Sequence, residues 1–455
     1  MAYDFDLFVI GGGSGGIAAA KRASEYGARV GLAEASRLGG TCVNRGCVPK
    51  KLMVYAAQFS NQFDAAAGYG WGVGDRQFSW PALMDGVNAE VSRLNGVYTT
   101  RLDQSGVALF RHRAQFVDDH TLTVGDRTLT AAKIIIAVGG KPVRPDNIPG
   151  VDLAITSDDI FHLAQQPKRL VIIGGGYIGS EFACIFNGLG TEVIQLIRSE
   201  KVLSGFDDDL RSEVHGAMQQ RGIRIVDSID QVAIAKTNAG LTVTVTTPAG
   251  PEEIGCDGVS LAATGRSPNL QGLGLEHTGV EVKQGAIAVD HHHRTTVPHI
   301  FAVGDVTDRV SLTPVARREG QEVADTAFSE QSSALTSAID YDTIPTAVFT
   351  TPEMGTVGLT EAAAREKFGD DDIQAFQSRF QPLYYTLPNL EAKTLMKLVV
   401  QKSSDRVLGA HMVGDHAAEI IQGVAIAVQM GVTKAQVDAT MGIHPTVAEE
   451  FVTLE

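Results

Sequence analysis

The chain has 455 residues, enough for about three domains and several hydrophobic cores, and its 53 acidic against 38 basic residues leave a formal charge of −15, which disfavours general nucleic-acid binding because that needs cationic surface to displace counterions. Hydrophobic content of 44% with 49 glycines excludes a disordered or fibrous chain and describes a turn-rich globular α/β protein. No apolar run approaches the ~20 residues of a spanning helix, Met1-Ala2-Tyr3-Asp4 carries no signal-peptide pattern and four cysteines are too few for a secreted disulfide scaffold, so the expectation is a cytoplasmic protein with neither membrane nor nucleic acid as partner.

An apolar strand, Leu7-Phe8-Val9-Ile10, opens the chain and runs into Gly11-Gly12-Gly13-Ser14-Gly15-Gly16 and an Ala-rich helical stretch; Arg29-Val30-Gly31-Leu32-Ala33 returns as a second strand ending at Glu34. This is a βαβ unit. Ile134-Ile135-Ile136-Ala137-Val138 reads as a buried strand closing it. The pattern recurs at Leu170-Val171-Ile172-Ile173, Gly174-Gly175-Gly176-Tyr177-Ile178-Gly179 and Glu192 to Ile197, with Ser260-Leu261-Ala262-Ala263 as its closing strand. Two copies about 160 residues apart imply two nucleotide-binding domains, since solenoid repeats are much shorter. The run His291-His292-His293 reads as a turn surface; no acidic or Cys residues flank it at metal-ligand spacing. From residue 341 the character changes to alternating strands followed by a helix near 418–431, a separate α+β domain.

In the first glycine cluster, Gly11 permits the tight turn, Gly13 lets backbone approach a pyrophosphate and Gly16 allows close helix packing. Glu34, 23 positions after Gly11, is placed to bind a ribose diol. Gly174, Gly176 and Gly179 repeat the spacing, but the second strand ends in Ile197-Arg198. Arginine there pairs with a 2′-phosphate that a carboxylate would repel. Two different dinucleotides, FAD and NADP, are the economical reading.

Cys42 and Cys47 lie in Gly39-Gly40-Thr41-Cys42-Val43-Asn44-Arg45-Gly46-Cys47-Val48-Pro49-Lys50-Lys51, about one helical turn apart, close enough for a disulfide to form and open. Nearby lysines and a helix N-terminus favour a thiolate, and zinc lacks two further ligands, so no metal is expected. Cys184 and Cys256 stand alone as small core residues. Near the C-terminus, His444 has a carboxylate, Glu449, five residues on, a pair suited to proton transfer at neutral pH.

On Gly39 to Lys51, Gly174 to Gly179, Thr264-Gly265-Arg266, Ala302-Val303-Gly304-Asp305 and His444-Pro445-Thr446 with Glu449, the sequence resembles the pyridine nucleotide-disulfide oxidoreductases over its whole length, most closely those acting on glutathione disulfide. The resemblance implies two Rossmann-like domains plus a C-terminal α+β dimerisation domain. Its boundaries are 1–145 and 267–340 for the FAD-binding and central parts, 146–266 for the NAD(P)H-binding domain and 341–455 for the interface. It further implies a homodimer that shares its active site between subunits.

By the same resemblance, NADPH reduces FAD and FAD reduces a Cys42–Cys47 disulfide. Cys42 is the interchange thiol, Cys47 the flavin-side thiolate, and His444 with Glu449 the general acid. Lys50 and Glu181 form a pair beside the flavin. Gly11, Gly13, Ser14, Gly16, Glu34, Thr41, Asp305 and Thr313 bind FAD. Gly174, Gly176, Tyr177, Ile178, Gly179, Arg198, Lys201 and Arg266 bind NADP, while Lys21, Tyr98 and Gln321 fall on the glutathione disulfide. Three positions depart from the family pattern. Ser204 replaces a second phosphate arginine, with Lys201 as substitute; Gly179 replaces an alanine common in NADPH members; Gln321 replaces an arginine that often binds substrate. The competing expectations are a reductase of another small disulfide, an NADH-preferring variant, and a redox-sensing flavoprotein without turnover.

Overall fold

The computed structural model describes residues 3–238, 240–257, 260–329 and 339–455. The chain forms two compact units, one of Met1–Leu52, Ala82–Val143 and Gly265–Ile339, the other of Met53–Pro81, Arg144–Thr264 and Asp340–Glu455.

In the first unit, strands Ala108–Phe110, Val30–Ala33, Phe5–Ile10 and Arg127–Ile136 lie side by side in parallel, and Ile300–Ala302 joins the far edge of Arg127–Ile136. The first half of Arg127–Ile136 turns antiparallel pairing toward Thr121–Val124 and Ala114–Phe116. Strands buried on both faces read as unbroken apolar runs. Here the two faces separate by alternate residues. Phe8, Ile10, Ile134, Ile136 and Ala302 fill one core, and Leu7, Val9, Leu32, Ile135 and Phe301 fill the other with the apolar face of helix Ser14–Glu25. That helix packs on helix Thr313–Phe328, and two glycines make the close approach possible: a Cβ on Gly320 would lie 2.3 Å from the Gly15 carbonyl oxygen. The pair is pinned by Arg22, whose Nε lies 2.5 Å from Asp325 Oδ1.

In the second unit, a five-stranded parallel sheet runs in the order Arg224–Val226, Glu192–Leu196, Arg169–Ile173, Ser260–Ala262, Ile155–Thr156. A three-stranded meander, Val232–Thr237, Gly240–Thr247 and Gly250–Cys256, shares its core. The C-terminal stretch forms an antiparallel five-stranded sheet, in the order Thr346–Val348, Met354–Gly358, Arg406–Val413, Thr394–Gln401, Ile373–Phe380, with helix Ala417–Gln429 against it. Lys397 on its fourth strand is buried, and its ammonium is shared by Asp207 at 3.0 Å, Glu361 at 2.8 Å and Asp209 at 2.5 Å. A buried charge of this kind persists only because it is fully paired. Among the described residues no helix is long and apolar enough to cross a membrane.

The expected mixed α/β organisation is therefore present, with one local difference. His291 to His293 form a turn, but His293 is 1% exposed, with Nε2 3.8 Å from buried Glu322. This turn residue takes a positive φ of 61°, and its ring lies inward instead of on the surface. Cys184 and Cys256 are both buried free thiols, as expected of core residues.

Candidate active site

The first glycine turn leaves no room for side chains. Gly11 has φ 109°, and a Cβ there would stand 2.3 Å from the Ala137 carbonyl oxygen; one on Gly16 would stand 2.0 Å from the Gly11 carbonyl oxygen. Gly13 sits at the N-cap of helix Ser14–Glu25 with no side chain bonding the first-turn N–H groups. Those donors and the dipole form a ready anion site, and a pyrophosphate group fits this cradle. At its lip, Glu34 Oε2 accepts from Gly12 N at 2.8 Å and Oε1 from Ser36 N at 2.7 Å. An ionised carboxylate has about four acceptor sites, so lone pairs remain for a ribose diol.

The cysteine segment is pressed onto that turn. Gly39 N donates to Gly12 O at 2.8 Å, and a Cβ on Gly40 would lie 2.8 Å from Gly13 Cα. Gly40–Arg45 is a short helix carrying half-buried Cys42. Gly46 breaks it, and helix Cys47–Ala66 starts with Cys47 as its first residue. The Cys42 thiol donates to Cys47, whose Sγ also lies 3.6 Å from the Thr313 hydroxyl. These hydrogen bonds and the Lys50 charge outweigh burial and bring the Cys47 thiol down to about 6. Cys42 moves the opposite way, held well above the thiol range first by its bond to Cys47 and then by burial. Two sulfurs in contact thus carry one proton between them, with the negative charge on Cys47.

Asp305 lies in the tight turn Gly304–Thr307, where burial pushes its carboxyl up against the opposing Arg266 charge. Arg266 pairs the strand Arg266–Pro268 with Gly140–Pro142 and donates from Nη2 to Gly140 O at 2.6 Å and to the Thr41 hydroxyl at 3.5 Å. It therefore belongs to the first unit, beside Thr41 and Asp305, whereas the other residues expected at NADP lie in the second. Lys21, Tyr98 and Gln321 are all partly exposed and lie on three helices of the first unit, Ser14–Glu25, Trp80–Gln104 and Thr313–Phe328.

In the second unit, Gly174 has φ 129° and a Cβ there would meet the Ala263 carbonyl oxygen at 2.2 Å; a Cβ on Gly179 would meet the Gly174 carbonyl oxygen at 2.5 Å. Gly176, the uncapped N-cap of helix Tyr177–Gly188, has open space where its Cβ would be. This second cradle also fits a dinucleotide pyrophosphate. Tyr177 is exposed and Ile178 partly so, at the start of the helix. Exposed Arg198 follows strand Glu192–Leu196, and the turn after it folds over the glycines, Leu203 N donating to Gly175 O at 2.7 Å. Glu181 is buried on the same helix, and its Oε1 accepts from Phe349 N at 2.9 Å.

At the C-terminus, a cis peptide joins His444 to Pro445, and His444 Nδ1 donates to Glu449 at 3.1 Å (Oε1) and 3.2 Å (Oε2). The imidazole side chain is 82% exposed against 21% for the carboxylate. Holding Nδ1–H in this way leaves Nε2 as the nitrogen that exchanges protons.

Sequence reasoning missed two partners of the expected phosphate cations. Lys201 Nζ is bonded to Asp208 Oδ2 at 2.8 Å and to the Ser212 hydroxyl at 2.9 Å. The only signal available was Asp208 four residues before Ser212 on an acidic-start helix, a spacing shared by many surface helices.

A family model described as pyridine nucleotide-disulphide oxidoreductase matches residues 5–320, and the dimerisation domain of the same description matches 344–455. A glutathione reductase of Nostoc sp. is 50% identical over 465 residues, covering all of both chains. One from Burkholderia cepacia is 49% identical over 99% of this chain and 98% of its own. The chloroplastic/mitochondrial glutathione reductase of Pisum sativum is 46% identical, over 99% of this chain and 82% of its own.

Proposed function

The chain belongs to the pyridine nucleotide-disulphide oxidoreductase family, and we propose that it is the family member that reduces glutathione disulfide to two glutathione thiols at the expense of NADPH. The observation that carries this reading is the sulfur pair on the first glycine cradle, with its thiolate at Cys47 and its proton at Cys42. When bound, FAD would supply the two-electron chemistry that links NADPH to a Cys42–Cys47 disulfide. Gly11, Gly13, Ser14, Gly16, Glu34, Thr41, Asp305 and Thr313 would hold it, and the second cradle with Arg198 would hold NADPH. Arg266, bonded to Gly140 and Thr41, is assigned to NADPH as well.

The residues then divide the work. Cys42 must lose its proton to attack one sulfur of glutathione disulfide; Nε2 of His444 takes it. The attack forms a Cys42–glutathione mixed disulfide and expels a glutathione thiolate, to which His444 returns the proton. Cys47, already ionised, attacks Cys42 Sγ, re-forms the internal disulfide and releases the second glutathione as a thiolate, which takes its proton from solvent. Glu449 holds the imidazole through Nδ1 and offsets its charge when protonated. We assign this histidine to the partner subunit of a homodimer. Lys21, Tyr98 and Gln321 are assigned to the substrate, and Lys50 with Glu181 to the flavin edge. The proposed compartment is the cytoplasm.

Steady-state turnover of the purified holoenzyme with glutathione disulfide, NADPH against NADH, tests the reading. Fast NADPH-selective turnover is expected. Flavin reduction by NADPH without turnover on this disulfide would overturn the substrate assignment and direct attention to Gln321.

A further inference from the structure

The turn that carries Arg198 and Lys201 is compact and well anchored. Ser199 Oγ donates to Lys201 O at 2.8 Å, and Leu203 N holds the turn to Gly175 of the glycine loop. Behind it stands helix Asp208–Gln220. Asp207 caps this helix, accepting from Asp209 N, while buried Lys397 grips the carboxylates of both Asp207 and Asp209. The first turn of the helix is thus fixed, and with it the backbone of Asp208.

Asp208 faces the other way. Its carboxylate is 68% exposed and shared between Lys201 at 2.8 Å and Arg211 at 3.1 Å. Arg211 is also bonded to the turn itself, through Nε to Val202 O at 3.0 Å and Nη2 to Lys201 O at 3.2 Å. Of two cations on the turn beside the second cradle, Lys201 is therefore already engaged by Asp208 and the Ser212 hydroxyl, and its ammonium is held toward the helix. Arg198 is left as the charge available to a phosphate.

We infer that Asp208 is a positioning residue that sets dinucleotide selectivity by withholding Lys201 from the 2′-phosphate of NADPH. A phosphate arriving at Arg198 must either compete with Asp208 for Lys201 or bind with one cation fewer, while a carboxylate close by repels it. NADH has no group at this point, so the restraint costs it little. The inference rests on the proposed placement of the 2′-phosphate at Arg198.

Asp208→Asn tests it, because the cap from Asp207 and both Arg211 bonds to the turn survive the change. Exposed charge pairs of this kind carry energies that correspond to roughly five-fold in affinity. The expected result is a rise of about five-fold in the NADPH/NADH ratio of kcat/KM, through KM for NADPH. Inhibition by adenosine 2′,5′-bisphosphate should tighten by the same factor, with inhibition by adenosine 5′-monophosphate unmoved. The double variant Asp208→Asn/Lys201→Ala should lose the gain. An unchanged or lower ratio in Asp208→Asn overturns the inference, and so does a gain that persists without Lys201. Arg198→Ala separates the underlying reading: if it leaves the ratio intact, the 2′-phosphate does not lie here, whatever Asp208 does.

Discussion

At Cys47, the competition among burial, hydrogen bonding and charge is settled first by the Cys42 thiol, donating across the break at Gly46. An unperturbed cysteine is mostly thiol at neutral pH, with a pKa of about 8.5. With its thiol at about 6, Cys47 is protonated below that pH and a thiolate above it. In the two-electron-reduced holoenzyme, the ultraviolet absorbance of one thiolate per chain should therefore rise through about pH 6 and be absent in Cys47→Ser. Removing the donor by Cys42→Ala should move the midpoint upward by about one unit or more, as loss of a hydrogen bond to an ionised group implies. A midpoint near the ordinary thiol value in the unmodified protein would contradict the arrangement. His444 makes a second point at this scale. Its carboxylate partner was visible five residues away in the sequence, because a turn closed at Pro445 brings such neighbours together without help from the rest of the fold.

For the elements, the glycines of the two strand–turn–helix units divide between those that serve the fold and those that serve a ligand. Gly11, Gly16, Gly174 and Gly179 are demanded by the protein's own backbone, since a Cβ at each would lie 2.0 to 2.5 Å from a carbonyl oxygen. Gly176 is not, because its Cβ would meet nothing within 4 Å. Its absence of a side chain serves whatever approaches the helix N-terminus. Gly176→Ala should accordingly leave the thermal midpoint and flavin content of the protein nearly unchanged while weakening NADPH binding by an order of magnitude or more. Equilibrium binding in an anaerobic titration would check this; undiminished NADPH affinity would mean that the pyrophosphate does not sit on this helix. The glycine spacing was legible in the sequence, but not which glycines serve fold and which serve ligand, since that depends on the distance to Ala137, Ala263 and Gly174 carbonyls in space.

For the whole molecule, the family's dimerisation domain makes the chain a homodimer, and the proposed mechanism draws the cysteines from one subunit and His444 from the other. Mixed dimers separate this from a site within one chain. Cys42→Ser and His444→Gln homodimers should each be nearly inactive. Co-folded in equal amounts, half the dimers are hybrids with one intact site of two, so about a quarter of wild-type activity should return. If cysteines and histidine acted within one chain, the hybrids would contain no intact site and no activity would return.

The sequence by itself determined the two βαβ units, the thiol pair and the His444–Glu449 pair, because each is written in contiguous residues: apolar periodicity, glycines whose φ no other residue adopts readily, and partners within one turn. Only the tertiary structure decided where Arg266 points, that Glu181 is tied to Phe349, that His293 turns inward toward Glu322, and that Lys201 is claimed by Asp208 while Lys397 holds the helix behind it. Most of these join residues tens to hundreds of positions apart, and even Lys201 and Asp208, seven apart, meet only because the helix is held behind the turn. Burial and pairing of charge follow from which surfaces the fold brings together, and no local pattern carries that information.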